Sequence, residues 1–270
     1  MSEIFNFILV NPIINVLVMF YKAFSFLHLP YALGFAIIGL TVFIRIILYP
    51  LISSQLKSSR KMQELAPHIS GLKEKHKGDA KRLQQETMRL YKENGVNPAA
   101  GCVPVLIQLP IIWALYSVLQ HIVSLKPQMI VSEINKIVYF DALKLGTPWD
   151  VYFFGLPLEK GPSQLISTIG PIVLLVPVLT GLLQFILSKM LMGNSAPSQK
   201  IQKKEDFSTA FQSQSLFIFP VMIGFFSYSF PIGLSLYWNT FSVFGIIQQY
   251  RILGWGGLNS WKEKFLSRNK

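Results

Sequence analysis

One arginine, Arg45, lies inside a long apolar run that extends from Tyr31 to Leu56. An arginine near the middle of a bilayer costs at least about 2.5–3.5 kcal/mol, so it must face a partner or water. The usual partner is a carboxylate on another span. Here all 13 acids fall in the termini and in segments that read as loops. Arg45 therefore predicts a water-containing cavity, or else a guanidinium capping backbone carbonyls in a packed bundle. Its neighbours favour the cavity. Thr41, Arg45, Tyr49 and Ser53 recur at a spacing of four, which puts them on one helix face. Thr180, Gln184 and Ser188 do the same, and Ser235, Asn239 and Ser242 share a face beside Tyr237 and Trp238. Such stripes line a groove or serve as ordinary interhelix packing. A groove with one fixed positive charge and no carboxylate suits neither proton relay nor cation conduction. It suits a visiting anion, such as an acidic peptide segment. An inside-negative potential favours outward movement of that segment by about 2.3 kcal/mol per charge per 100 mV.

Other chemistry is sparse. The single cysteine, Cys102, permits no internal disulfide and no thiolate metal site. His28, His68, His76 and His121 show no metal-ligand spacing. No nucleophile pairs with a base inside the apolar segments, which argues against an enzyme. No cofactor or metal is expected. A channel or transporter for small anions, built on the same Arg45, is the rival reading.

The elements that must hold these residues are membrane helices. The chain of 270 residues is 51% hydrophobic and 14% charged, against about 25% charged for a soluble domain. Its apolar residues are gathered into long runs. The fold class predicted is an all-α, polytopic, five-span helical bundle with a cytosolic helical hairpin. Residues 1–28 read as an amphipathic interfacial helix, because Asn11, Asn15, Lys22 and Ser25 fall in one arc; a true span is the alternative. The first span covers 29–56. The hairpin covers 57–97, with one helix ending at Gly78 and the next starting on an Asp79 cap. The second span covers 98–125, an external loop 126–163, the third span 164–190 and a cytosolic loop 191–213. The fourth and fifth spans cover 214–230 and 231–253, and a basic tail covers 254–270. The opening residues carry an acid where a secretory signal would carry a base.

The net charge is +12. With the hairpin in the cytosol, the N-terminus lies outside and the C-terminus inside. Apart from Arg45 in the first span, nineteen basic residues then fall inside and five outside (Lys22, Lys126, Lys136, Lys144, Lys160), as the positive-inside rule requires. No basic stretch interleaves with aromatics in the manner of a nucleic-acid platform.

Two motifs carry a family resemblance. Gly101-Cys-Val-Pro-Val-Leu-Ile-Gln-Leu-Pro-Ile-Ile-Trp-Ala-Leu-Tyr116 closely resembles the hallmark stretch of the YidC/Oxa/Alb membrane protein insertase family. Phe230-Pro-Ile-Gly-Leu-Ser-Leu-Tyr-Trp-Asn239 resembles its final-span motif. The order of Arg45, Tyr49-Pro50-Leu51, a basic hairpin and Asn97-Pro98 also agrees, so the likeness covers nearly all of residues 10–253. It implies a five-span insertase and chaperone without a through-pore, in a bacterial inner membrane. The groove residues implied are Arg45, Thr41, Tyr49, Gln184, Tyr237 and Trp238. The implied capture hairpin presents Arg60, Lys61, Lys73, Lys75, Lys77, Lys81 and Arg82. The partners implied are nascent membrane proteins and the lipid bilayer, with the Sec translocon, the ribosome and the signal-recognition machinery as further candidates, and the chain working as a monomer. The large periplasmic domain of Gram-negative members and the lipoprotein cysteine of Gram-positive members have no counterpart here.

Overall fold

The computed structural model describes residues 3–97, 103–120, 125, 127–192 and 207–259. Helix dominates them. Cys102, His121, Lys126, the loop cations Lys200, Lys203 and Lys204, and the tail beyond 259 lie outside the described residues. The chain forms two compact units. One comprises Met1–Ile47, Leu109–Ser188 and Glu205–Gly245; the other comprises Leu48–Gln108, Lys189–Lys204 and Ile246–Lys270.

The first unit opens with helix α1, Glu3–Phe26. Its Asn6–Val10 turn is π-helical, and the Asn11 N–H bonds the Asn6 carbonyl five residues back. Pro12 explains this. It brings no N–H for the helix ladder, so the turn before it widens. Helix α2, Ala32–Ile47, packs on α1. Ile14, Leu17 and Val18 of α1 and Leu33, Ala36, Ile37 and Leu40 of α2 are buried, each side chain contributing roughly 1.5–3 kcal/mol. The rings of Phe20 and Phe43, and of Phe24 and Phe35, meet edge to face.

The polar arc of α1 does not all face water. Asn15 is buried, and its Nδ2 donates to the Asn11 carbonyl (2.8 Å) and to the Ile137 carbonyl (3.2 Å). Its Oδ1 accepts from the Tyr139 N–H at 2.7 Å. Lys22 donates to the carbonyls of Ala142 (2.6 Å) and Lys144 (3.0 Å). The stripe is thus docked on the 137–144 segment, which follows helix α7, Pro127–Ile137. Asn15→Ala strands one buried donor and one acceptor, each costing about 1–3 kcal/mol. The expected outcome is a lower midpoint of thermal unfolding in detergent and faster tryptic cleavage at Lys144.

Gly34 of α2 has no side chain to obstruct Phe153; a Cβ there would overlap that ring. Phe153 belongs to a two-residue hairpin, β1 Tyr152–Phe153 paired antiparallel with β2 Leu156–Pro157. Phe154 (φ +48°) and Gly155 (φ +81°) form its turn, with both central residues left-handed, as a twisted hairpin favours. The third expected span is interrupted. Helix α8, Pro162–Ile169, ends on Gly170 (φ +88°), and α9, Pro171–Leu191, begins on the next residue. Helix α6, Val103–Val118, and helices α10, Phe207–Ser229, and α11, Ile232–Leu253, complete the membrane-type elements. Apolar side chains at Phe217, Val221 and Phe225 of α10 and at Ile172, Leu175 and Val178 of α9 lie exposed, as a lipid-facing stripe would.

By length and composition, α1 and α9 can each cross a membrane, and the pair Ala32–Ile47 and Tyr49–Glu64 qualifies if taken as one span. Helix α1 therefore meets the requirement for a span, the alternative to the expected interfacial helix. The pair is not continuous. The helix ends at Ile47 and helix α3, Tyr49–Glu64, begins after Leu48. Pro50, at the second position of α3, cannot donate to the Ile46 carbonyl and its ring crowds that carbonyl. The expected 29–56 span is thus divided, and the residues after the break run unbroken past Lys57.

In the second unit, α3 is followed by α4, Ala66–Lys75, with Pro67 at its start, and by α5, Ala80–Glu93. Gly78 takes φ +100° between them, and the Asp79 carboxylate accepts from the Arg82 N–H at 2.9 Å. Neither α4 nor α5 has a buried residue. The unit also holds the end of α9. The last carbonyls of a helix lack internal donors, and side chains supply them here. Gln249 Nε2 donates to the Met190 carbonyl (3.3 Å), and Gln63 Nε2 to the Leu191 carbonyl (2.9 Å). Gly256, at φ +51°, passes so close to Met190 that a Cβ would overlap its carbonyl oxygen.

Candidate functional site

Arg45 stands in the last turn of α2, where the partial negative charge of a helix C-terminus favours a cation. Its side chain is only 4% exposed. Nη2 donates to the Phe241 carbonyl at 2.7 Å. The guanidinium carbon sits 3.5 Å from the centroid of the Phe241 ring and 5.9 Å from that of Phe244. One residue of α11 therefore offers both a carbonyl and a π face. Gly245, one turn further on, makes room: a Cβ there would lie 2.7 Å from Nη2 and 3.1 Å from Leu187 Cδ2. Arg45 Nε is buried and has no hydrogen-bond partner among the described residues.

The sequence left Arg45 two environments, a hydrated cavity or backbone carbonyls to cap, and its Nη2 bond to the Phe241 carbonyl is of the second kind. A break at Leu48 separates Arg45 from Lys57, so no single helix joins them. It also divides the expected stripe. Thr41 and Arg45 remain on α2, and Thr41 is buried with its hydroxyl bonded back to the Ile37 carbonyl at 2.6 Å. Tyr49 and Ser53 start α3 in the second unit. There Gln248 Nε2 donates to the Tyr49 carbonyl and to Ser53 Oγ, both at 3.2 Å.

Tyr237 is buried, with its ring centroid 5.9 Å from that of Phe241, the ring on which Arg45 rests. Trp238 joins a different stack: it lies parallel to Phe230 at 6.4 Å, and Phe230 in turn meets Phe226 and Tyr116. Gln184 is half-buried and accepts from Ser242 Oγ at 3.3 Å. Thr180 and Ser235 are bridged by Ser227, whose hydroxyl donates to Thr180 Oγ1 (3.2 Å) and shares a 2.7 Å contact with Ser235 Oγ. All three are buried. Thr180 and Gln184 of one stripe, and Ser235 and Ser242 of the other, are thus hydrogen-bonded to neighbouring helices. Asn239 retains a buried Oδ1 with no partner among the described residues.

Of the hairpin cations, Lys61, Lys75, Lys77, Lys81 and Arg82 are exposed, and Arg60 and Lys73 are partly covered. Arg60 pairs with Glu64 at 3.0 Å, an exposed pair of the kind worth little. No cluster of metal-ligating side chains occurs among the described residues. Phe241, Gly245 and Ser227 escaped the sequence reading. Phe241 and Gly245 are separated by one helical turn, which is a visible spacing, but nothing in it points to Arg45.

A model of the 60Kd inner membrane protein family matches residues 10–255 of the chain. The chain is 33% identical over 247 residues to the inner membrane protein ALBINO3 of Arabidopsis thaliana chloroplasts, covering 86% of this chain and 49% of that protein. It is 34% identical over 224 residues to the membrane protein insertase YidC of Oceanobacillus iheyensis, covering 80% of this chain and 72% of the relative. Among solved structures it resembles an active YidC insertase crystal structure with the first transmembrane domain resolved. The TM-score is 0.52 at 27% identity, over 90% of this chain and 46% of that one. The chain spans about half the length of ALBINO3 and of that solved chain.

Proposed function

The chain belongs to the 60Kd inner membrane protein family, and from that membership we propose that it is a membrane protein insertase and chaperone. It moves hydrophobic segments of nascent membrane proteins from the cytosol into the bilayer. Five spans, an external N-terminus and a cytosolic C-terminus and hairpin complete the reading, supported by the distribution of basic residues. The observation that carries the mechanism is a buried arginine whose Nε lacks a partner among the described residues, with no carboxylate inside any of the five assigned spans. Buried polar groups are almost always satisfied, so this site calls for water or an arriving anion.

The cycle needs no covalent step. The exposed cations of α4 and α5 meet the incoming chain or its ribosome. The polar flank of the client enters beside Arg45, Gln184 and Trp238, and its apolar segment passes into lipid along α9 and α11. The driving force is apolar transfer, about 25 cal/mol per Å² removed from water. The groove shortens the path of the polar flank through hydrocarbon. The protein works as a monomer, alone or beside the Sec translocon and the signal-recognition machinery.

Purified protein in liposomes tests this. Photocrosslinkers at Gln184 and Trp238 are expected to capture a stalled nascent membrane segment, and the vesicles to insert a small client while remaining closed to anions. Clear anion flux with neither crosslinks nor insertion overturns the reading in favour of an anion channel.

A further inference from the structure

The Arg45 contacts point to more than a fixed charge. A guanidinium has five N–H donors and no acceptor. In this structure Nη2 donates to the Phe241 carbonyl and the cation's face lies on the Phe241 ring. Nε has no partner. Among the described residues, Phe241 thus supplies both the carbonyl and the nearer ring of the cation's shell. Its geometry depends on Gly245. In a helix the side chain four residues on normally shields a carbonyl's outer lone pair. At Gly245 that side chain is missing, and Nη2 occupies the space it would fill. We propose that Phe241 and Gly245 are specificity-determining positioning residues that stow Arg45 against α11, so that a client's carboxylate must draw the guanidinium off the Phe241 carbonyl and ring before it is bound.

This inference rests on the insertase reading and adds a threshold to it. A ligand shifts an equilibrium only by its differential affinity for the two states. A neutral polar flank offers the guanidinium too little to leave its perch. A carboxylate offers a bidentate, charge-assisted pair, roughly twice as strong as a neutral hydrogen bond. Stowing therefore makes the groove respond to acidic flanks and leaves Arg45 covered between clients. Weakening the stowed pose lowers the threshold. Phe241→Leu removes the π face and keeps the carbonyl. Gly245→Ala keeps the ring and fills the space at Nη2. A cation–π contact of about 0.5–2 kcal/mol corresponds to roughly 2- to 30-fold in an equilibrium, which sets the expected gain.

The test measures insertion, in liposomes, of two clients that differ only in an acidic or neutral translocated flank. The acidic-to-neutral ratio is expected to rise several-fold in Phe241→Leu and in Gly245→Ala. Simple structural damage lowers both clients and leaves the ratio alone. In an Arg45→Ala background neither substitution is expected to change the ratio, because the group they act through is gone. If Arg45→Ala lowers the ratio while both single variants leave it unchanged or reduce it, stowing is wrong and the insertase reading stands. If Arg45→Ala itself leaves the ratio unchanged, the charge-attraction reading fails first and the stowing with it.

Discussion

Replacing Arg45 with alanine is expected to lower insertion of a client with an acidic translocated flank by between about 5-fold and 10³-fold. Two unit charges about 4 Å apart attract by about 1 kcal/mol in water and about 4 kcal/mol at an effective dielectric of 20. Those limits set the range, and its position depends on how wet the groove is when the client arrives. The same client with a neutral flank loses much less, since apolar transfer supplies its driving force. Arg45→Lys keeps the charge and gives up the planar fork. It is expected to retain most acidic-flank insertion, because attraction and not bidentate geometry starts the encounter. Raising ionic strength is expected to narrow the gap between acidic and neutral clients if the groove is hydrated. Full insertion of the acidic client by Arg45→Ala ends the charge argument.

The second large effect concerns Gly256. Alanine there must adopt φ +51° and place a methyl group on the Met190 carbonyl oxygen. The obstacle is backbone at the end of a helix, so it cannot rotate away as a side chain would. Left-handed backbone costs of order 1–3 kcal/mol for an ordinary residue. With the overlap, the total is about 2–5 kcal/mol. Scanning fluorimetry in detergent is expected to show a midpoint lower by roughly 5–15 °C. Gln249→Ala removes one donor from the same carbonyl and is expected to cost only about 1 kcal/mol. Equal midpoints for Gly256→Ala and the parent would mean that the close approach to Met190 does not exist in the membrane protein.

Much of the architecture was legible because lipid imposes simple rules. Long apolar runs, the buried Arg45, the Gly78 stop and the Asp79 cap are all local features. Site geometry was legible only in part. The spacing of four from Thr41 to Ser53 continues through Leu48 as if nothing happened, and only the chemistry of Pro50 breaks it. The Asn15 and Lys22 stripe has the same pattern whether it faces water or a set of loop carbonyls more than a hundred residues away. Gly245 looks like any small residue in a packed helix, and its role appears only when Arg45 arrives from α2. Ser227 carries no periodic signal, yet it bridges Thr180 and Ser235 across two helix gaps.

The docking of α1 also has a schedule. Asn15 bonds groups at Ile137 and Tyr139, which are 122 and 124 residues later in the chain. A ribosome adding about 5–20 residues per second needs roughly 6–25 s to supply them. During that interval α1 is already made, and its polar arc has only water or headgroups to bond. The docked position of Asn15 therefore becomes available to α1 only once the 137–144 segment has been made. Whatever stability the Asn15 contacts contribute thus belongs to a late stage of the protein's own synthesis.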